Sequence, residues 1–215
     1  MKILVTGFDP FEDEPINASW EAARRLPDKV EDAEIIKLQV PTVFGRAADV
    51  VRDAIVEHDP DVVVSVGQAG GRFAVTPERV AINVDDGRIP DNEGYQTIDT
   101  PIGPDGPAAY FSTLPVKAMV TAMRSAGIPA VVSNTAGTYV CNHVMYQVLH
   151  LIDHDFPGKR GGFVHVPYAP QQVTGKPGEP SLSIEDMTTA LAAGLGAIVE
   201  YRDKADEHTV GGAIH

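Results

Sequence analysis

The chain has 215 residues, with 17 basic and 30 acidic side chains, a formal charge of -13 and a single cysteine. That length supports one large domain with a substantial core, and one cysteine excludes an internal disulfide. The negative balance would repel a phosphate backbone or an anionic membrane surface, so neither nucleic acid nor membrane is an expected partner. The acidity is spread along the chain rather than gathered in a tail, the pattern of a solvated surface. Residues 1–7 carry one charge and too short an apolar run for a signal peptide, and no stretch approaches membrane-spanning length. A cytoplasmic protein is expected.

Residues 2–6 are a short apolar run ending at Gly7, which predicts a first buried strand. The loop Gly7-Phe8-Asp9-Pro10-Phe11 follows, with phenylalanines where a dinucleotide fingerprint has its second and third glycines, so no phosphate cradle is visible. Two rings just after a strand either line a ligand pocket or pack the loop on the core. Residues 20–26 read as a helix capped by Ser19, residues 33–40 as a strand, and residues 44–57 as an amphipathic helix with Ala47, Ala48, Val51, Ala54 and Ile55 on one face. The valine run of residues 61–67 is typical of a parallel strand covered on both faces.

Gly67-Gln68-Ala69-Gly70-Gly71-Arg72 ends that strand. Its glycines either make a turn or let backbone approach a ligand, with Gln68 aimed at it. Residues 77–84 alternate well enough for an outer strand, on which Glu78 by itself reads as an exposed carboxylate. Residues 85–106 are rich in Asp, Gly, Pro and Asn and predict a long loop, of a length that often serves as a lid or binding segment. Arg88 lies within it. Residues 114–126 read as a helix.

Residues 128–132 read as a buried strand, polar and small residues break it, and Val144, Met145, Val148, Leu149 and Ile152 recur at helical spacing. Cys141 is therefore expected at a strand-to-helix turn. There a thiol meets free N–H groups and the positive end of the helix dipole, which favour thiolate, and the same N–H groups can receive an oxyanion. The competing reading is a small buried hydrophobe. Residues 162–167 form a glycine-bounded strand in which His165 is embedded among apolar neighbours and needs a hydrogen-bond partner. Residues 183–201 read as the last helix, and residues 203–215 as a frayed, flexible tail.

The alternation of strand and helix predicts a single α/β domain over residues 1–215: a twisted, mostly parallel sheet with helices on both faces. His150 and His154 have metal-binding spacing but no evident third ligand, and no Gly-x-Ser-x-Gly elbow occurs. The remaining chemical candidate is a Cys141–His165 pair oriented by an acid.

Several segments together resemble the pyroglutamyl peptidases of the pyrrolidone-carboxylate peptidase type, cysteine peptidases that remove an N-terminal pyroglutamate. They are Gly7-Phe8-Asp9-Pro10-Phe11, Gly67 to Arg72, Glu78-Arg79-Val80-Ala81-Ile82-Asn83, Arg88-Ile89-Pro90-Asp91-Asn92, the residues 133–142 around Cys141, and His165-Val166-Pro167. The resemblance implies Cys141 as nucleophile, His165 as general base and acid, and Glu78 as the carboxylate orienting His165. It further implies Arg88 beside the oxyanion, Phe8 and Phe11 around the lactam ring, Gln68 bonded to its amide and Asn17 in the pocket wall. It implies a phosphorylase/hydrolase-like sheet, pyroglutamyl peptides as substrates, no metal or organic cofactor, and a homotetramer. His143-Val144-Met145 departs from an aromatic-rich version of the motif, and Ala18 replaces a common proline. Two other functions fit the same sheet: a noncatalytic small-molecule binding protein with an inert thiol, and a nucleoside-phosphorylase-like enzyme.

Overall fold

The structure, a computed structural model, describes residues 1–212. In chain order its elements are β1 (Lys2–Phe8), α1 (Ala18–Ala23), β2 (Lys29–Val30), β3 (Ala33–Val40), α2 (Arg46–His58), β4 (Val62–Gln68), β5 (Thr76–Pro77), β6 (Val80–Ile82), β7 (Ala109–Phe111), α3 (Val116–Ser125), α4 (Val140–His154), β8 (Arg160–Val166) and α5 (Ile184–Glu200). The main sheet has the order β2-β3-β1-β4-β8-β5. Its inner strands β3, β1, β4 and β8 run parallel, and the two-residue strands β2 and β5 close the edges antiparallel. β6 and β7 form a separate hairpin-like pair.

Both faces of the sheet are covered, which is why its strands read as continuous apolar runs. Ile3, Val5, Val62, Val64, Val66 and Val164 pack with α1, α3 and α5, whereas Leu4, Phe8, Val63 and Phe163 pack with α2 and α4. The period-2 alternation of side chains thus divides the core into two layers. The predicted single-domain, mostly parallel α/β architecture is the one observed.

Local differences have local causes. The cap of α1 is Asn17, whose side chain accepts from Ser19 N at 3.1 Å; Ser19 Oγ instead accepts from Phe8 N at 3.1 Å and ties the helix to the end of β1. The predicted outer strand over residues 77–84 breaks at Glu78–Arg79, because Glu78 N donates to Phe163 O of β8 while Arg79 N donates to Ser133 O. Glu78 is fully buried, not exposed. Residues 128–132 make only isolated bridges, Val75 with Ala130 and, just beyond, Glu78 with Ser133. Pro77 and Pro129 lack the N–H that a longer ladder needs.

The expected frayed tail is bound as far as Gly211. Asp206 accepts from Lys117 N and Ala118 N, both at 3.0 Å, capping the start of α3 where Pro115 offers no side-chain cap. Lys117 Nζ donates to Thr209 O at 2.6 Å and Arg79 Nη2 to Gly211 O at 3.0 Å. Residues 213–215 lie outside the described residues. Among the described residues no helix is long and apolar enough to cross a membrane.

Candidate active site

The carboxyl ends of β1, β4 and β8 converge with the first turn of α4, the place where open α/β sheets assemble their sites. Register sets the floor: Gly67 of β4 pairs with His165 of β8. A Cβ at Gly67 would lie 2.8 Å from Cys141 Sγ and 2.7 Å from the tip of the Phe163 ring. Glycine at this position lets the thiol approach the sheet beside His165. Cys141 is the second residue of α4, whose N-cap residue Tyr139 offers no side-chain acceptor to the first-turn N–H groups. Those groups remain suited to an oxyanion.

His165 is 3 % exposed, and its Nδ1 lies 2.7 Å from Oε1 of the fully buried Glu78. Arg72 Nη1 donates to the same Oε1 at 2.6 Å and also to Thr76, while Nη2 donates to Thr135 O at 3.0 Å. Arg72 thus anchors the carboxylate, a role the sequence reading missed. The available signal was an arginine following Gly70-Gly71 at a buried strand end, near a carboxylate that burial would otherwise leave uncompensated.

Burial pushes the Glu78 carboxyl up, but the hydrogen bond and charge of His165, with the Arg72 charge, outweigh it and hold it below the usual range. Burial pushes His165 down, more than Glu78 raises it. Burial also pushes the Cys141 thiol up to about 12, with Arg72 opposing and Glu78 adding to the shift. Burial thus works against the thiolate expected at a helix start.

Next to the thiol is a small pocket of about 40 Å³ lined by Phe8, Phe11, Asn17, Thr42, Gln68, Tyr139 and Cys141. This is a few times the roughly 10–15 Å³ that one water needs. Phe8 is buried against Phe163, with ring centroids 6.2 Å apart, and Phe11 meets Tyr139 at 6.4 Å. Gln68 Oε1 accepts from Ala18 N at 2.8 Å, while its Nε2 is buried without a partner among the described residues. An unpaired buried donor costs about 1–3 kcal/mol, so Nε2 is fitted to a ligand acceptor. Thr42 and Tyr139 are pocket residues that the sequence did not single out.

Asn17 reaches the pocket wall, but its amide works inside the scaffold: Nδ2 donates to Asp9 O at 2.9 Å and Oδ1 accepts from Ser19. Arg88 is not brought to Cys141. Its side chain is 82 % exposed and sits 3.7 Å from Glu12. Gly87 N donates to Thr97 O, and the turn this makes leaves Arg88 on the surface. His150 Nδ1 is engaged by Tyr110 OH at 2.9 Å and His154 Nδ1 by His150 O at 3.0 Å. A larger cavity of about 1050 Å³ between α3 and α5 is lined by small helical residues and exposed charges and contains none of the groups above.

Comparison with known proteins identifies the family. A family model described as pyroglutamyl peptidase matches residues 1–201. The chain is 57% identical to a pyrrolidone-carboxylate peptidase of Lactobacillus johnsonii and 56% identical to one of Streptococcus suis, each over 215 residues and the whole of both chains. The crystal structure of pyroglutamyl peptidase I from Bacillus amyloliquefaciens superposes with a TM-score of 0.92 at 49% identity, covering 97% of this chain and 99% of that one. Pyrrolidone carboxyl peptidase from Thermococcus litoralis gives 0.93 at 36% identity, with the same coverage. By sequence over its full length and by fold, the chain belongs to the pyroglutamyl peptidase family.

Proposed function

We propose that Cys141, His165 and Glu78 carry the reaction of this cysteine peptidase, hydrolysis of the amide bond after an N-terminal pyroglutamyl residue. The supporting observation is the thiol over Gly67, beside a His165 whose other side is fixed by a fully buried carboxylate.

With Nδ1–H donated to Glu78, the lone pair of His165 is on Nε2. As Cys141 Sγ attacks the scissile carbonyl, His165 takes the thiol proton, and the imidazolium is stabilised by Glu78. Proton transfer thus belongs to the attack, because burial keeps both partners neutral beforehand. First-turn N–H groups of α4 receive the oxyanion without help from Arg88. His165 then protonates the departing amine, leaving a thioester, and activates the water that releases pyroglutamate.

Pyroglutamate is a neutral five-membered ring with one N–H and one carbonyl. Phe8 and Phe11 hold its faces, Gln68 Nε2 donates to the lactam carbonyl, and Asn17 braces the wall. Neither metal nor organic cofactor enters the scheme. The reading includes a homotetramer in the cytoplasm, where a lone thiol stays reduced; light scattering measures the assembly.

The deciding experiment is amine release from a pyroglutamyl-amide reporter, compared with a prolyl reporter that lacks the lactam carbonyl. Release from the pyroglutamyl reporter alone, falling about 10³-fold or more in Cys141→Ala, is expected. Turnover retained in Cys141→Ala overturns the assignment.

A further inference from the structure

The first turn of α4 carries Cys141 and the N–H groups suited to an oxyanion, yet no side chain caps it, because Tyr139 at the N-cap lends no acceptor. A capping side chain would occupy the N–H groups that the oxyanion needs. An uncapped helix start frays unless something else holds it.

The residue after Cys141 supplies that hold. Asn142 is fully buried, and its side chain bonds to the β6 segment rather than to its own helix. Its Oδ1 accepts from Ile82 N at 3.0 Å, and its Nδ2 donates to Ile82 O at 2.9 Å and to Val84 O at 3.0 Å. A backbone N–H only donates and a carbonyl only accepts, so one orientation of the amide meets all three partners and uses both of its N–H bonds. Register explains why Ile82 offers both of its groups. Asn83 N donates to Ala108 O and Ser112 N to Arg79 O, so by alternation the N–H and C=O of Ile82 face the edge of the ribbon away from β7. At that edge Asn142 stands where a neighbouring strand would, exchanging with Ile82 the pair of bonds that a ladder residue makes.

We propose that Asn142 is a positioning residue for acyl transfer: it fixes the first turn of α4 to the β6–β7 ribbon, so that the turn stays wound with its N–H groups uncapped and open to the oxyanion. His143 ties the same turn to Asp85 and to Gly45 before α2, so losing the Asn142 bonds leaves the turn held on one side and free to tilt. The lactam pocket takes most of its lining, Phe8, Phe11, Asn17, Thr42 and Gln68, from outside α4. Loss of the anchor should therefore spare ring binding and weaken the transition state.

The inference rests on the peptidase reading, which makes Cys141 the nucleophile. Wild type is compared with Asn142→Asp and Asn142→Ala. Aspartate has the same shape and keeps an acceptor for Ile82 N but sets an oxygen against Ile82 O and Val84 O; alanine removes all three bonds. kcat for the pyroglutamyl-amide reporter is expected to fall about 10- to 10²-fold with KM little changed. A pair of inhibitors separates positioning from general loosening. 2-Pyrrolidone fills the ring pocket alone, whereas the aldehyde analogue of pyroglutamate also takes the thiol across its carbonyl, sulfur to carbon and hydrogen to oxygen, and places that oxygen where the oxyanion forms. The aldehyde should lose affinity by about the factor lost from kcat, and 2-pyrrolidone should keep its own. Retained kcat in folded Asn142→Ala, or equal weakening of both inhibitors, overturns the proposal. Hydrogen exchange on the wild type is independent of how the variants fold. The His143 amide, which donates to Tyr139 O at 3.1 Å in the first turn, should be protected about as strongly as the Ile82 amide. A His143 amide that opens far more often than that of Ile82 also overturns it, since the turn then frays with the anchor in place. No amine release by the wild type counts against the peptidase reading alone, and the exchange comparison then decides this one.

Discussion

At the scale of single residues the site depends on one missing side chain and one buried charge. Gly67→Ala places a methyl 2.8 Å from Cys141 Sγ and 2.7 Å from the Phe163 ring, closer than real contacts allow, so the thiol must back away from His165. A displacement near 1 Å costs about 10²-fold in rate. kcat should fall by about that factor, with a changed rate of thiol alkylation and a preserved fold by circular dichroism. Glu78→Gln keeps the shape but removes the charge that orients and stabilises His165, and leaves Arg72 facing an amide. Its kcat is expected to drop by about 10²- to 10⁴-fold. Thermal unfolding should also show lost stability, because Arg72 is only partly exposed and loses its ion pair.

At the scale of elements, α3 depends on a residue far along the chain. Asp206→Ala strips the acceptor from Lys117 N and Ala118 N, and a lost cap costs about 0.5–2 kcal/mol. A lower urea midpoint with unchanged kcat is the expected outcome, since α3 packs on the sheet face opposite Cys141 and Phe8. Elements whose side chains repeat were legible in the sequence: β3 has the predicted bounds, α2 and α5 start and stop within two residues of expectation, and α4 contains the residues from Val144 to Ile152 that recur at helical spacing. What escaped was set by partners distant in sequence. Glu78 looked like a surface carboxylate because its burial comes from His165 and Arg72 around it, not from its neighbours in an alternating run. The Asp206 cap is 89 residues from Lys117, and no local pattern announces it. In the site, the place of Cys141 was legible from its turn and that of His165 from its apolar strand. Asn17 as cap, Arg72 as anchor and Arg88 on the rim depend on how loops fold back, which periodicity does not carry.

For the whole molecule, pH sets two opposing effects on stability. Acidification discharges a chain with a formal charge of -13 toward its isoelectric point near 4.8, which relieves self-repulsion and favours the folded state. The buried pair works the other way. Folding lowers His165 from its ordinary 6.5, so below 6.5 the unfolded chain binds a proton that the folded one refuses, and stability falls until the folded value is passed. Folding also lowers Glu78 from its ordinary 4.5; its contribution is present above that value and is lost as pH falls through the folded one. Both slopes have the same sign, and each group contributes at most about 1.4 kcal/mol per pH unit. Surface repulsion is screened within about 10 Å at 0.1 M salt and within about 3 Å at 1 M, whereas the buried pair is screened much less. In high salt the pair should therefore win: urea midpoints are expected to decline steadily from pH 7 to pH 4. Midpoints that rise over that interval at 1 M salt would mean that His165 does not resist protonation in the folded protein, and with it would go the neutral resting site on which the order of proton transfers depends.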